Sequence, residues 1–100
     1  MQKYIVIVHG EDLLVDYDGV RQRVGFFTNV SVEAFTPADA EERALDIVRE
    51  DIVKRDLALN AEHDPWRLRA EEVREVESFD PDAQRPGTGL AFYPEDSAGT

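Results

Sequence analysis

His9-Gly10-Glu11 is the first place in this chain where residue types and spacing could do chemistry, because H-x-E supplies a metal-binding imidazole and a proton-moving carboxylate in zinc deaminases. That chemistry also needs a P-C-x-x-C. The chain has no cysteine, which removes zinc ribbons, redox CxxC pairs and thiolate nucleophiles together. His63 lies far along the chain in an Asp-Pro loop, and a pair of histidines without an anchored third ligand does not make a metal site. Asp16-x-Asp18-Gly19 has the middle of a calcium loop, but such a loop needs an acid where Leu14 stands and a glutamate where Gly25 stands. It reads instead as an Asp-Gly turn. Gly87-Thr88-Gly89 could offer backbone N–H groups to a phosphate, yet no helix start and no lysine follow it. No metal and no cofactor is expected.

Paired carboxylates are plentiful at Glu71-Glu72 and Glu75-Val76-Glu77, but general acid and base work needs environments that separate the two pKa values. In sequence these acids look equally wet. Ser31, Ser78 and Ser97 sit in no nucleophile elbow. No catalytic set converges. The residues left to a binding surface are His9, the aromatics Phe27, Phe35 and Tyr93, and the acids Glu71, Glu72 and Glu75.

The elements that must position these groups follow from periodicity. Tyr4-Ile5-Val6-Ile7-Val8 is a continuous β-branched run before Gly10, the pattern of a central strand with both faces dry. Leu13-Leu14-Val15 reads as a second short strand, reversed by Asp18-Gly19. From Val24 the even positions are Val24, Phe26, Thr28, Val30, Val32 and Ala34, one clearly apolar face, while Phe27 and Phe35 put aromatic surface on the other. Thr36 and Pro37 then start a helix expected to run from Pro37 to about Leu57, with Ala40, Ala44, Leu45, Val48 and Ile52 as its buried stripe. Asp39 with Arg43, Glu50 with Lys54 and Asp51 with Arg55 are spaced for surface ion pairs. Trp66 to Ala70 alternates as a strand, after which Val73, Val76 and Phe79 step by three. Either one long strand carries a bulge near Glu71-Glu72, the reading preferred, or the segment ends in a helical turn. Residues 80–89 read as a loop, Leu90 to Tyr93 as a short edge strand stopped by Pro94, and 95–100 as a flexible tail.

Composition bounds the rest. A chain of 100 residues with 42% apolar content makes one small domain, here residues 1–94. The Tyr4 to Val8 run is too short for a signal-peptide core or a membrane span, and with the lack of cysteine this leads to a cytoplasmic expectation. A net charge of −11 opposes direct approach to a nucleic-acid backbone or an anionic membrane.

Val24-Gly25-Phe26-Phe27-Thr28, Glu33-Ala34 ahead of the helix, Glu77-Ser78-Phe79-Asp80 and Gly87-Thr88-Gly89-Leu90-Ala91-Phe92-Tyr93-Pro94-Glu95 together resemble a group of small uncharacterised bacterial proteins. The resemblance implies that the terminal Gly-Thr-Gly to Phe-Tyr-Pro-Glu segment belongs to the folded unit. It implies no activity.

The expected fold is therefore α+β: an antiparallel sheet of three or four strands in the order β-β-α-β with a short C-terminal strand, one helix covering one face. The expected function is a non-enzymatic acidic interaction module for a basic protein. A second copy of the chain would cover the bare sheet face. The alternative is a small enzyme or ligand-binding protein with a pocket between that face and the 80–89 loop.

Overall fold

The computed structural model describes residues 1–79 and 91–94, so the anticipated 80–89 loop and 95–100 tail lie outside the described residues. Strand β1 (Gln2–Tyr17) pairs antiparallel with β2 (Val20–Ala34), helix α1 (Pro37–Lys54) follows, and β3 (Arg67–Val76) and β4 (Ala91–Pro94) complete the sheet. The sheet has four strands in the order β3-β1-β2-β4, all neighbours antiparallel. The α+β architecture with one helix on one face is thus the observed one.

The even-numbered residues of β2 do face the helix. Val24, Phe26, Thr28, Val30, Val32 and Ala34 are buried, and they meet Tyr4, Val6 and Val8 of β1 and Ala40, Ala44, Val48 and Ile52 of α1 in one core. Helix entry follows from local chemistry. Thr36 is extended (φ −136, ψ 159), its hydroxyl accepts from the Asp39 N–H at 3.1 Å, and Pro37 presets the first helical φ. Helix exit is a Schellman closure. Asp56 turns to φ 55, its N–H donates to the Val53 carbonyl at 3.0 Å, and the Leu57 N–H donates to Ile52 at 3.2 Å.

The structure corrects several expectations. Leu13 to Val15 is no separate strand: β1 runs on to Tyr17 through a bulge, since Gly10 pairs Phe26 and Leu13 pairs Val24, leaving Glu11 and Asp12 opposite Gly25 alone. Asp12 absorbs the extra residue at φ 61. Tyr4 to Val8 is central, but only its helix-side residues are fully dry, because Ile5 and Ile7 point to the other face and are half-buried. Of the three helix ion pairs, Asp51 with Arg55 forms at 3.2 Å, while Asp46 with Arg49 replaces the others at 3.1 Å. Exposed pairs gain too little to hold long side chains against their rotamer entropy.

The ambiguity after Ala70 resolves as a bulged strand. Ile7 pairs Glu72 and Val8 pairs Ala70, so Glu71 is the residue without an opposite number. Asp18 and Gly19, at φ 54 and 82, form the type I′ turn that matches the twist of a two-residue hairpin. The hairpin's far half extends past the helix. There the 57–60 segment covers it, the Leu59 N–H reaching the Leu14 carbonyl and the Asn60 side-chain oxygen accepting from the Leu14 N–H, each at 2.8 Å.

Two outcomes follow from these termini and this core. Asp56→Gly relieves an αL residue that carries a Cβ, and denaturant unfolding should show a gain of up to about 1 kcal/mol. Burial pushes the Tyr4 phenol above its usual pKa of 10.0, with Glu75 and Asp39 adding to the shift. The folded state therefore holds this proton more tightly than the unfolded chain. Stability should be fully present below pH 10.0 and fall as pH rises through the raised value, and Tyr4→Phe should flatten that alkaline decline.

Candidate functional site

The face of the sheet that α1 leaves open carries a polar and aromatic cluster drawn from all four strands. His9 is buried at 7% exposure although it points away from the helix. Its ring lies flat on Phe27, its partner across the β1–β2 pair, with centroids 4.3 Å apart and planes 6° from parallel. Tyr93 of β4 stacks on the same group, 5.9 Å from His9 and 5.7 Å from Phe27, each at 29°.

Hydrogen bonds complete the tie. The Tyr93 hydroxyl bonds His9 Nε2, and His9 Nδ1 lies 3.1 Å from Glu71 Oε1. Arg69, opposite His9 on β3, places Nε 2.9 Å from the same Glu71 oxygen and a terminal nitrogen 3.3 Å from His9 Nδ1. In the neutral ring a proton on Nδ1 donates to Glu71 and leaves Nε2 to accept from Tyr93; Arg69 then meets a donor at Nδ1 and is held by the Glu71 carboxylate rather than by the ring. A line of contacts then crosses the sheet: Tyr93 on β4, His9 on β1, Glu71 on β3, passing over Gly25 and beside Phe27 on β2.

The backbone makes this possible in two places. Gly25 faces Tyr93 in the β2–β4 pairing, and a Cβ there would overlap the phenol ring, so only glycine lets Tyr93 lie down across β2 towards His9. The bulge at Glu71 breaks the strict alternation of β3 and swings that carboxylate to the histidine. Glu71 had seemed one of several equivalent wet acids; its bulge gives it a different role.

Of the residues singled out as binding candidates, His9, Phe27, Glu71 and Tyr93 come together here. Phe35, 65% exposed, sits in the turn before α1, outside the cluster. Glu72 faces the same side as His9 but opposite Ile7, with its carboxylate 3.9 Å from Arg74. Glu75 pairs with Tyr4 and so lies on the helix side. Sequence reasoning missed Arg69 and Gly25. The first was hidden among scattered arginines, and the second was noticed as the absent calcium ligand and within the Val24 to Thr28 run, with no role given to it.

Chemically, a tyrosine, an imidazole and a carboxylate in series could pass a proton. Here both imidazole nitrogens are already engaged by protein groups, and one ring face is covered by Phe27. No group of three or more metal-ligating side chains exists among the described residues. Among them, too, no helix is long and apolar enough to cross a membrane. A hollow of about 520 Å³ lies along the hairpin's far half, lined by Val15, Asp16, Gln22, Val24, Leu57 and Phe92 among others, and its wall is mostly apolar. The pocket anticipated between the open face and residues 80–89 has its loop wall outside the described residues. No protein-family model, curated protein or solved structure matches the chain, so its residues alone carry the functional argument.

The cross-strand tie predicts a graded response. Tyr93→Phe keeps the stacking and loses one hydrogen bond, costing about 1 kcal/mol in unfolding experiments. Gly25→Ala should cost more, about 1–3 kcal/mol, and should free β4, seen as rapid amide exchange at Phe92 and Tyr93. Equal, negligible effects of both changes would show that Tyr93 does not anchor the strand.

Proposed function

We propose that this protein is a non-enzymatic interaction module that receives a basic protein partner on the exposed side of α1. The observation that carries this reading is how the acids are distributed. Several on the sheet are matched, Asp12 with Arg67 at 2.6 Å, Glu71 with Arg69 at 2.9 Å, Glu11 with Arg69 at 3.6 Å and Glu72 with Arg74 at 3.9 Å, and those that are not, Asp16, Glu33 and Glu75, are spread over three strands. On the helix, Asp39, Glu41, Glu42 and Glu50 are exposed and have no cationic side chain within 4.0 Å among the described residues. Unmatched charge is what a partner of opposite sign can use, because pairing there releases no existing contact.

The same distribution narrows the earlier expectation. The 71–77 segment is a weaker acidic stripe than its composition suggests, since Arg69 and Arg74 engage Glu71 and Glu72 and leave only Glu75 and Glu77 unmatched, Glu75 on the helix side. The helix carries the larger group of unmatched acids on one element. The engaged nitrogens of His9 support the non-enzymatic half of the proposal, because they offer no vacant position to a substrate.

A fluorescent lysine- and arginine-rich peptide should bind at about 50 mM salt and be released at about 500 mM, where the screening length is only a few ångströms. Replacing Glu41, Glu42 and Glu50 by lysine together should weaken binding by at least about tenfold, while Asp16→Lys on the sheet leaves it within about twofold. Binding indifferent to salt, or lost equally in both variants, would defeat the proposal.

A further inference from the structure

We infer that the open face of the sheet is the interface of a two-fold symmetric dimer of this chain. The reading rests on the sheet rather than on the helix acids, so it stands or falls independently of the basic partner. Cross-strand register puts Ile5 and Ile7 of β1, Phe27 of β2 and Val76 of β3 on the side away from α1. Phe27 is 41% exposed, and Ile5, Ile7 and Val76 are half-buried. They form an apolar band through the centre of that face. Charge decides the occupant. The chain carries a net −11, and two copies meeting through their helices would oppose unmatched acids to unmatched acids. On the open face the signs are nearly balanced, with Lys3, Arg69 and Arg74 set against Glu33, Glu71 and Glu72. Its charges are of mixed sign, unlike the unmatched acids on the exposed side of α1.

The arrangement of those charges also selects the symmetry. The strands of stacked sheets lie within about 30° of one another. A two-fold axis running across the strands would lay β3 antiparallel on β3, where the level of the axis decides whether an arginine meets an arginine or a glutamate. An axis running along β1 lays β3 of one copy over β2 of the other. Arg74 stands level with Ile5 and Ser31, so this second arrangement brings it beside the partner copy's β2 near Glu33, which has no cationic side chain within 4.0 Å among the described residues. Arg69 stands level with Phe27 and would pass over the partner copy's ring, a favourable cation–π position. In this orientation the Arg74–Glu33 contact is made twice, once by each copy, while Lys3, close to the axis, meets its own counterpart at one end of β1.

Sedimentation equilibrium of the full chain tests the inference, with twice the chain mass of 11.3 kDa expected at micromolar concentration. Ile7→Asp should yield a folded monomer, its fold confirmed by circular dichroism and its binding to the basic peptide retained. Arg74→Glu and Glu33→Arg should each raise the dimer dissociation constant at least about tenfold, and the two together should restore it, which a folding defect could not do. A wild-type chain still monomeric at about 100 μM would overturn the inference, that being far weaker than stable interfaces of ordinary size. So would a dimer indifferent to Ile7→Asp, or a double variant no better than the single ones.

Discussion

A sheet roofed by a helix on one side only must make its other side tolerable to water without losing its shape, and this constraint organises the whole molecule. The central strand β1 is bonded to β2 and β3 along its edges, and Tyr4, Val6 and Val8 are sealed beneath α1. Alternating with them, Lys3, Ile5, Ile7 and His9 face the open side. The fold closes that side at one end by stacking and hydrogen bonding rather than by a second layer. His9 lies on Phe27, takes the Tyr93 hydroxyl on one nitrogen and meets Glu71 with the other.

Each part of that tie depends on a departure from regular β-structure. The missing side chain at Gly25 lets a tyrosine from the edge strand cross its neighbour. The extra residue at Glu71 carries a carboxylate to the histidine's far nitrogen. The bulge at Glu11 and Asp12 bends β1 just past His9, and the hairpin beyond it is held by Leu59 and Asn60 instead of by the helix. Local irregularity is here the means by which a polar cluster is satisfied, and a fully satisfied cluster rigidifies where a partly satisfied one would destabilise. The same constraint separates two surfaces: a helix on which Asp39, Glu41, Glu42 and Glu50 are unmatched, and a sheet face of mixed charge around an apolar band.

Much of the architecture was legible in the sequence because it rests on local periodicity. The even-numbered run from Val24 to Ala34, the Thr36-Pro37 junction and the Ala40, Ala44, Val48, Ile52 stripe each state their own element. The step of three after Ala70 betrayed a bulge, since a strand that changes facing must absorb a residue. The bulge in β1 was not legible, because Gly10-Glu11-Asp12 has the composition of a turn and only pairing with β2 shows that the strand continues. The candidate site was half legible. Residue type drew attention to His9, Phe27, Glu71 and Tyr93, but His9 and Tyr93 are 84 positions apart and nothing in the intervening chain states that they meet. Glu72 and Glu75 have the same chemistry and were set elsewhere by register, and Phe35 by its place in the turn before α1.

Proton NMR on the native protein offers the most direct measurement of the tie across the sheet. The account predicts nuclear Overhauser effects from the Tyr93 ring to the Gly25 α-protons and to the His9 ring, and a His9 imidazole whose nitrogen shifts report the proton on Nδ1. A Tyr93 ring that shows none of these contacts, with His9 in the opposite tautomer, would contradict it.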